Sequence, residues 1–300
     1  MWRRLGKRRA DAAAAEAPTP AGLANYRIER LMGRGAASQV YLAQDRRSER
    51  WVALKVLDLG SGPASAEHHD ALERFRREAT VLHGLDHPGI VAVLDAGPSE
   101  RGAWMAMEVV TGCDLTRYTR ASRLLPPPLV ARLGARLAEA LAYAHRRGVV
   151  HRDVKPANVL VDWTRDVLKL SDFGLARSSE HTQTRSGVAL GSPDYMAPEQ
   201  LAGASVGPAA DLYGLGATLY ELLAGRRPHE ADNLGELLRA VASEPATPLA
   251  RLRPDLDADL CAAVERLLEK DQALRPHDAA AVATRLWSVA DRTSGMRASP

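Results

Sequence analysis

Cysteine occurs twice in 300 residues, at Cys113 and Cys261. That is too few for a disulfide framework, and neither residue sits in a metal-ligand cluster. No stretch approaches eighteen consecutive strongly apolar residues, so no membrane span is expected. The basic start is not followed by the apolar core of a secretory signal. These absences predict a cytoplasmic protein. A Walker A loop is missing, which excludes that route to holding a nucleotide. Aromatic residues make up only 5% of the chain, while apolar residues reach 46%. A large core is therefore available, and Leu, Ala and Val must supply most of its packing. Lysine is scarce as well: five of the 40 basic residues, the rest being arginine. Two of the five are Lys55 and Lys155, and chemistry is a reason to retain a compact point charge at such positions.

Basic and acidic residues nearly balance, for a formal charge of +3. Residues 1–10 hold Arg3, Arg4, Lys7, Arg8 and Arg9 without an acid, so the rest of the chain carries −2. The basic character belongs to a tail, and no nucleic-acid-binding surface is indicated. The tail reads as a solvated leader, with weak attraction to acidic lipid or a partner as the alternative.

Residues 1–25 are basic, then Ala-rich, then Pro-containing, and read as a tail or linker. Alternating and β-branched patterns predict strands from residue 26 and over 39–43, 51–57, 91–97 and 104–109, with a glycine-containing turn at 33–38. A flexible connection follows at 60–65. Leu72, Phe75, Ala79 and Leu82 give helical periodicity over 66–84. After Gly112 the helical patterns dominate, at 128–147, 207–224, 232–242, 257–269 and 276–290. No internal repeat is present. The expectation is α+β: a small strand-rich part, 26–108, a connection at 108–112, and a larger helical part, 113–288, followed by a tail at 289–300.

The densest chemistry lies in His151-Arg152-Asp153-Val154-Lys155-Pro156-Ala157-Asn158, with Asp172-Phe173-Gly174 beginning fourteen residues after Asn158. One short loop carries a candidate base, Asp153, a phosphate-directed cation, Lys155, and a metal-binding amide, Asn158. Asp172 adds a hard carboxylate oxygen of the kind that binds a divalent metal next to phosphates. In order and spacing these segments resemble the catalytic loop and metal motif of eukaryotic-like protein kinases, and the Arg- and Ala-rich composition suggests a bacterial member.

The resemblance extends over about residues 26–288. Gly33-Arg34-Gly35-Ala36-Ala37-Ser38-Gln39-Val40 is similar to the kinase glycine-rich loop, with Ser38 at the third glycine position. Val52-Ala53-Leu54-Lys55 resembles the strand whose lysine meets the α- and β-phosphates, and Glu78 is the implied pairing carboxylate. Met105-Ala106-Met107-Glu108-Val109-Val110 resembles the last small-lobe strand and hinge. The resemblance implies Met107 behind the adenine and backbone bonds to its edge from Glu108 and Val110. It further implies Val40, Ala53 and Leu160 about the ring, and Asp114 at the ribose. Asp153 would receive or orient the acceptor hydroxyl, Lys155 would neutralise the transferring phosphate, and His151 would pack beneath Phe173. Asn158 and Asp172 would hold Mg²⁺, with Mn²⁺ as a substitute.

Ala197-Pro198-Glu199 closes a segment beginning at Asp172 that contains Ser178, Ser179, Thr182, Thr184 and Ser186. Thr182 and Thr184 are the preferred phosphoacceptors, paired through Arg152. Gly191-Ser192-Pro193-Asp194-Tyr195-Met196 resembles the substrate-facing loop. Asp211 would hold the catalytic-loop backbone, and Arg275 would pair with Glu199. The implied fold is the bilobal protein-kinase fold. The implied activity is ATP-dependent phosphorylation of protein Ser/Thr hydroxyls, with a homodimer supporting trans-autophosphorylation. A nucleotide-binding pseudokinase scaffold and a small-molecule kinase are the competing readings.

Overall fold

The computed structural model describes residues 23–35, 38–58, 75, 79–99, 102–173 and 193–295. The chain divides into two compact units, Met1–Cys113 with Val161–Val167, and Asp114–Leu160 with Leu168–Pro300. The first is strand-rich and the second mainly helical, an α+β arrangement.

In the first unit β1 (Tyr26–Arg34), β2 (Ser38–Asp45), β3 (Trp51–Asp58), β4 (Val93–Ser99) and β5 (Gly102–Glu108) form an antiparallel sheet of order β1-β2-β3-β5-β4. The strands lie where alternation predicts them. The glycine turn is tighter than expected, because Gly33 and Arg34 still pair with Val40 and Gln39. The Gly35 N–H then donates to the Ser38 carbonyl at 2.7 Å. Of the helix expected over 66–84, residue 75 and residues 79–83 are helical. The 60–65 connection and Glu78 lie outside the described residues, as do Ala36 and Ala37.

Part of the scarce aromatic complement is concentrated in this unit's core. Tyr26 and Trp104 meet edge to face, 5.1 Å between centroids, among Leu23, Ala43, Val52, Leu54 and Ala106. Each aromatic keeps its polar atom bonded: the Tyr26 hydroxyl donates to Asp95 at 3.2 Å and the Trp104 indole to the Pro98 carbonyl at 3.0 Å. Gly112 is required by close approach: at its φ of +123°, an added Cβ would stand 2.0 Å from the Val161 carbonyl oxygen.

The second unit contains α1 (Pro127–His145), α2 (Pro198–Leu201), α3 (Pro208–Ala224), α4 (Leu234–Ser243), α5 (Leu249–Leu252), α6 (Ala258–Leu267) and α7 (Ala279–Gly295). The five long helices match the sequence expectation, and Leu and Ala do supply their packing. α3 is buried from Ala210 through Leu223, so it runs through the core instead of along its surface. Two helix starts are capped by side chains: Asn233 accepts from the Glu236 N–H at 2.9 Å and Asp257 from the Leu260 N–H at 3.0 Å.

The single-turn helices α2 and α5 were not expected. Neither were β6 (Cys113–Asp114), β7 (Val159–Asp162) and β8 (Val167–Leu170), which form a sheet of order β6-β7-β8. At two to four residues each they are too short to show alternation. They matter because β7 starts directly after Asn158 and β8 ends two residues before Asp172, so both strands fix the chain between these two residues. Among the described residues, no helix is long and apolar enough to cross a membrane.

Candidate active site

The catalytic-loop side chains converge on one carboxylate. Lys155 Nζ lies 2.7 Å from Asp153 Oδ2. Asn158 Nδ2 donates to the same oxygen at 3.0 Å and to the Asp153 backbone carbonyl at 2.8 Å. The nitrogen end of Asn158 is thus committed to Asp153, and its carbonyl oxygen is the atom it can offer to a cation. Asp153 and Lys155 remain partly accessible, with 17% and 16% of their side chains exposed, so a substrate hydroxyl can reach them.

His151 is fully buried and both ring nitrogens are in use. Nδ1 accepts from the Asp153 N–H at 3.2 Å, and Nε2 donates to the Ser171 carbonyl at 2.9 Å. Burial pushes its pKa down, which favours the neutral ring that these bonds require. Its ring packs against that of Phe173 at a tilt of 53°, with centroids 4.4 Å apart. His151 therefore supports the loop and is not placed to act as a base. Ser171 binds back to Asn158, its N–H donating to the Asn158 carbonyl at 2.8 Å and its hydroxyl to the same oxygen at 3.1 Å. Asp172 follows directly with φ +58°, a left-handed conformation rare for a residue with a side chain. Arg152 shares it, at φ +66°.

Asp211, at the start of α3, holds that strained backbone. It accepts from the N–H groups of His151 at 2.8 Å and Arg152 at 2.6 Å. His145 Nε2 is a further neighbour, at 2.8 Å. Gln200 holds the other side: Nε2 donates to the Arg152 carbonyl at 2.9 Å, while Oε1 accepts from the Ala197 N–H at 3.0 Å. Gly214 lets α3 approach, since a Cβ there would stand 2.8 Å from the Val154 carbonyl oxygen and 3.6 Å from that of Tyr195. Arg275 and Glu199 form a buried fork, 2.6 and 2.8 Å. His145 and Gln200 escape sequence reading because each acts through a partner distant in the chain or through backbone.

In the first unit, strand register gathers another expected set. Lys55 on β3 pairs with Val40 on β2 and Met105 on β5, and Ala53 pairs with Met107. Directly opposed residues share a face, as do residues two apart, so Val40, Ala53, Lys55 and Met107 lie on one face of this sheet. Gly33, opposite Val40, lies on the same face, while Arg34, opposite Gln39, lies on the other. The Glu108 N–H is used by the Ala92 carbonyl at 3.0 Å, and its carboxylate accepts from the Ala92 N–H at 2.8 Å. Val110 is buried.

In the second unit, Leu160 is buried on β7. Asp114 is also buried, and its carboxylate caps the turn that follows by accepting from the Thr116 N–H at 3.0 Å and from the Thr116 hydroxyl. Gly174, Ser178, Ser179, Thr182, Thr184, Ser186, Gly191 and Ser192 lie outside the described residues.

Among known proteins, the protein kinase domain family matches residues 26–287. The serine/threonine-protein kinase pkn3 of Myxococcus xanthus is 36% identical over 289 residues, 92% of this chain and 52% of that protein. PknB of Mycobacterium tuberculosis is 37% identical over 273 residues, covering 87% and 42%. The DNA damage-responsive serine/threonine-protein kinase RqkA of Deinococcus radiodurans is 39% identical over 278 residues, covering 89% and 40%. The chain thus spans about half the length, or less, of these curated relatives. The crystal structure of the Mycobacterium tuberculosis PknI kinase domain superposes with a TM-score of 0.71 at 35% identity, covering 91% of this chain and 98% of that one. The chain belongs to the protein kinase domain family, among the bacterial serine/threonine kinases of eukaryotic-like type.

Proposed function

We propose that this chain transfers the γ-phosphoryl group of ATP to Ser or Thr hydroxyls of proteins, releasing ADP. The observation that carries the reading is the joint placement of Lys155 and Asn158 on Asp153 Oδ2. Asp153 orients the acceptor hydroxyl and takes its proton as the new O–P bond forms and the bond to the β-phosphate oxygen breaks. Lys155, held 2.7 Å away, balances charge on the transferring group. Lys55 is assigned to the α- and β-phosphates, and Glu78, outside the described residues, is the carboxylate that the family resemblance would pair with it. The triphosphate is assigned to the glycine-rich stretch Gly33, Arg34, Gly35 and Ser38, with Ala36 and Ala37, outside the described residues, implied by the resemblance alone. By the family resemblance, the adenine is assigned to Val40, Ala53, Met107, Glu108 and Val110 in the first unit, and in the second Leu160 is assigned to the same ring and Asp114 to the ribose.

The Asn158 carbonyl oxygen and the Asp172 carboxylate are hard oxygen donors that suit Mg²⁺ or Mn²⁺. Among the described residues no group of three or more His, Cys, Asp or Glu forms a dedicated cage. That fits an ion which keeps waters and takes most other ligands from phosphates. Such an ion supplies charge neutralisation at the phosphates when bound.

Among the described residues, Arg152 Nε is buried without a hydrogen-bond partner. This supports activation by phosphate on the segment between Asp172 and Glu199, at Thr182 or Thr184, through trans-autophosphorylation in a homodimer. We place the activity in the cytoplasm, acting on protein substrates. The test incubates wild type and Asp153→Asn with MgATP and follows intact mass and phosphosite position. Phosphate on Ser or Thr in wild type alone is the expected result. Nucleotide binding without incorporation into itself or a generic acceptor by wild type, in folded and pre-phosphorylated protein, sinks the reading and favours a scaffold.

A further inference from the structure

One charged cluster in the second unit is used neither to build the catalytic loop nor to hold phosphate. It comprises Asp194 and Tyr195, in the turn before Ala197-Pro198-Glu199, with Glu221 late in α3 and Arg227 just beyond its end. Tyr195 donates its hydroxyl to Glu221 Oε2 at 2.5 Å. Burial raises the pKa of the Glu221 carboxyl and that of the Tyr195 hydroxyl. Arg227 spans both acids: NH1 lies 2.7 Å from Asp194 Oδ1, and Nε lies 3.9 Å from Glu221 Oε1. Its guanidinium carbon stands 5.9 Å from the Tyr195 ring centre. The exposures differ in a telling order. Arg227 is 44% exposed, Asp194 15% and Glu221 9%, so the arginine covers the two carboxylates from the solvent side.

This cluster adjoins the place where an acceptor must lie. The carbonyl oxygens of Val154, between Asp153 and Lys155, and of Tyr195 both stand within 4 Å of the Cβ position of Gly214. Gln200 ties the Arg152 carbonyl to the Ala197 N–H. The 193–197 turn is therefore packed on the loop that bears Asp153. A polypeptide whose hydroxyl reaches Asp153 carries its flanking residues past this turn. Two carboxylates there would attract a basic flanking residue. With Arg227 across them, their charge is already answered and the outermost group is a cation.

We propose that Arg227 is a specificity-determining residue that fills, from within the chain, an anionic subsite made by Asp194 and Glu221, so that the enzyme does not select acceptors flanked by basic residues. This rests on the protein-kinase reading and names the acceptor class for that same site. A basic residue beside the hydroxyl must either displace Arg227 or face it, and like charges in contact disfavour binding. Replacement of Arg227 by a small neutral residue uncovers both carboxylates and creates a basic preference that the parent lacks.

The test uses the whole chain as wild type, Arg227→Ala, Arg227→Lys and the double variant Arg227→Ala with Asp194→Asn. Three synthetic peptides share one central Ser and differ only in flanking residues, which are neutral, arginine or glutamate. The readout is the ratio of kcat/KM for the arginine peptide to that for the neutral peptide. Arg227→Ala is expected to raise this ratio about tenfold, through KM, as a single close charge pair does. Arg227→Lys should stay near the wild-type ratio, and the double variant should fall back toward it.

A merely structural role lowers the rate on all three peptides together and leaves the ratio within about twofold of wild type, which overturns the proposal. So does a wild type that already prefers the arginine peptide as strongly as Arg227→Ala does. Affinity of the same labelled peptides, measured by fluorescence anisotropy in an Asp153→Asn background, separates the two levels. If no protein phosphorylates any peptide, the kinase reading is what failed. Arginine-peptide affinity unchanged by Arg227→Ala then overturns the subsite as well, and a rise about tenfold sustains it.

Discussion

Arg275→Met should unfold much of the second unit's stability while removing no group from the catalytic loop. The Arg275 side chain is 0% exposed and its Glu199 partner 4%. The guanidinium makes both bonds to Glu199 and also donates to the backbone carbonyls of Glu269 at 2.8 Å, Ala209 at 2.9 Å and Lys270 at 3.1 Å. Methionine fills a similar volume but offers no donor. It leaves one buried carboxylate and three carbonyls without these donors.

Breaking a buried pair from one side costs about 3–5 kcal/mol, and each orphaned carbonyl adds up to about 1 kcal/mol where water cannot reach it. An expected loss of about 5 kcal/mol consumes much of the 5–15 kcal/mol typical of a whole domain. In thermal terms the midpoint drops by about 10–20 °C. Glu199→Gln leaves the buried Arg275 charge uncompensated but keeps its three carbonyl partners and one side-chain acceptor, so its loss should fall at about 3 kcal/mol, the low end for a buried pair broken from one side. Urea unfolding followed by far-UV ellipticity is the suitable assay, because the described long helices belong to the second unit. A loss below about 1 kcal/mol for Arg275→Met would refute the reasoning, since the fork would then contribute no more than a surface pair does.

Two further outcomes follow from the same geometry. Asp211→Asn replaces one acceptor oxygen by a donor facing the loop N–H groups or His145. Phosphate incorporation should fall about a hundredfold with helical content retained, as displacement of a catalytic group by a fraction of its length does; unaltered incorporation at equal protein would contradict it. Burial, with the Lys270 ammonium beside it, pushes the His229 imidazole from its ordinary 6.5 down to about 4. The unfolded chain then binds the proton more readily than the folded one. This contribution is complete above pH 6.5 and is lost as pH falls from 6.5 toward 4, by at most about 3 kcal/mol. His229→Gln should flatten the stability profile across that window, and an unchanged slope in urea titrations at several pH values would rule the assignment out.

The fold was readable where a pattern repeats over enough residues. Alternation located most of β1 to β5 and helical periodicity most of the long helices, because these elements turn one face to core and another to water; β5 and α3, buried nearly throughout, showed instead as largely apolar runs. The catalytic loop stood out for a different reason: Asp153, Lys155 and Asn158 lie within six positions, and their order and spacing resemble the loop of the family that matches this chain. What the sequence did not show is that one carboxylate oxygen of Asp114 also caps the next turn, accepting from the Thr116 N–H. The strands β6, β7 and β8 were unreadable because two to four residues hold no period.

By itself, then, the order of residues determined the strand-rich and helical parts, the loop bearing Asp153, and the expectation that Asp211 and Arg275 act as anchors. Only the tertiary structure decided that His145 joins Asp211, that Gln200 bridges Arg152 to Ala197, and that Arg227 spans Asp194 and Glu221. These partners stand up to 66 positions apart in the chain. Their pairing depends on which helix faces come together when the apolar core closes, and no local rule on propensity or spacing carries that information.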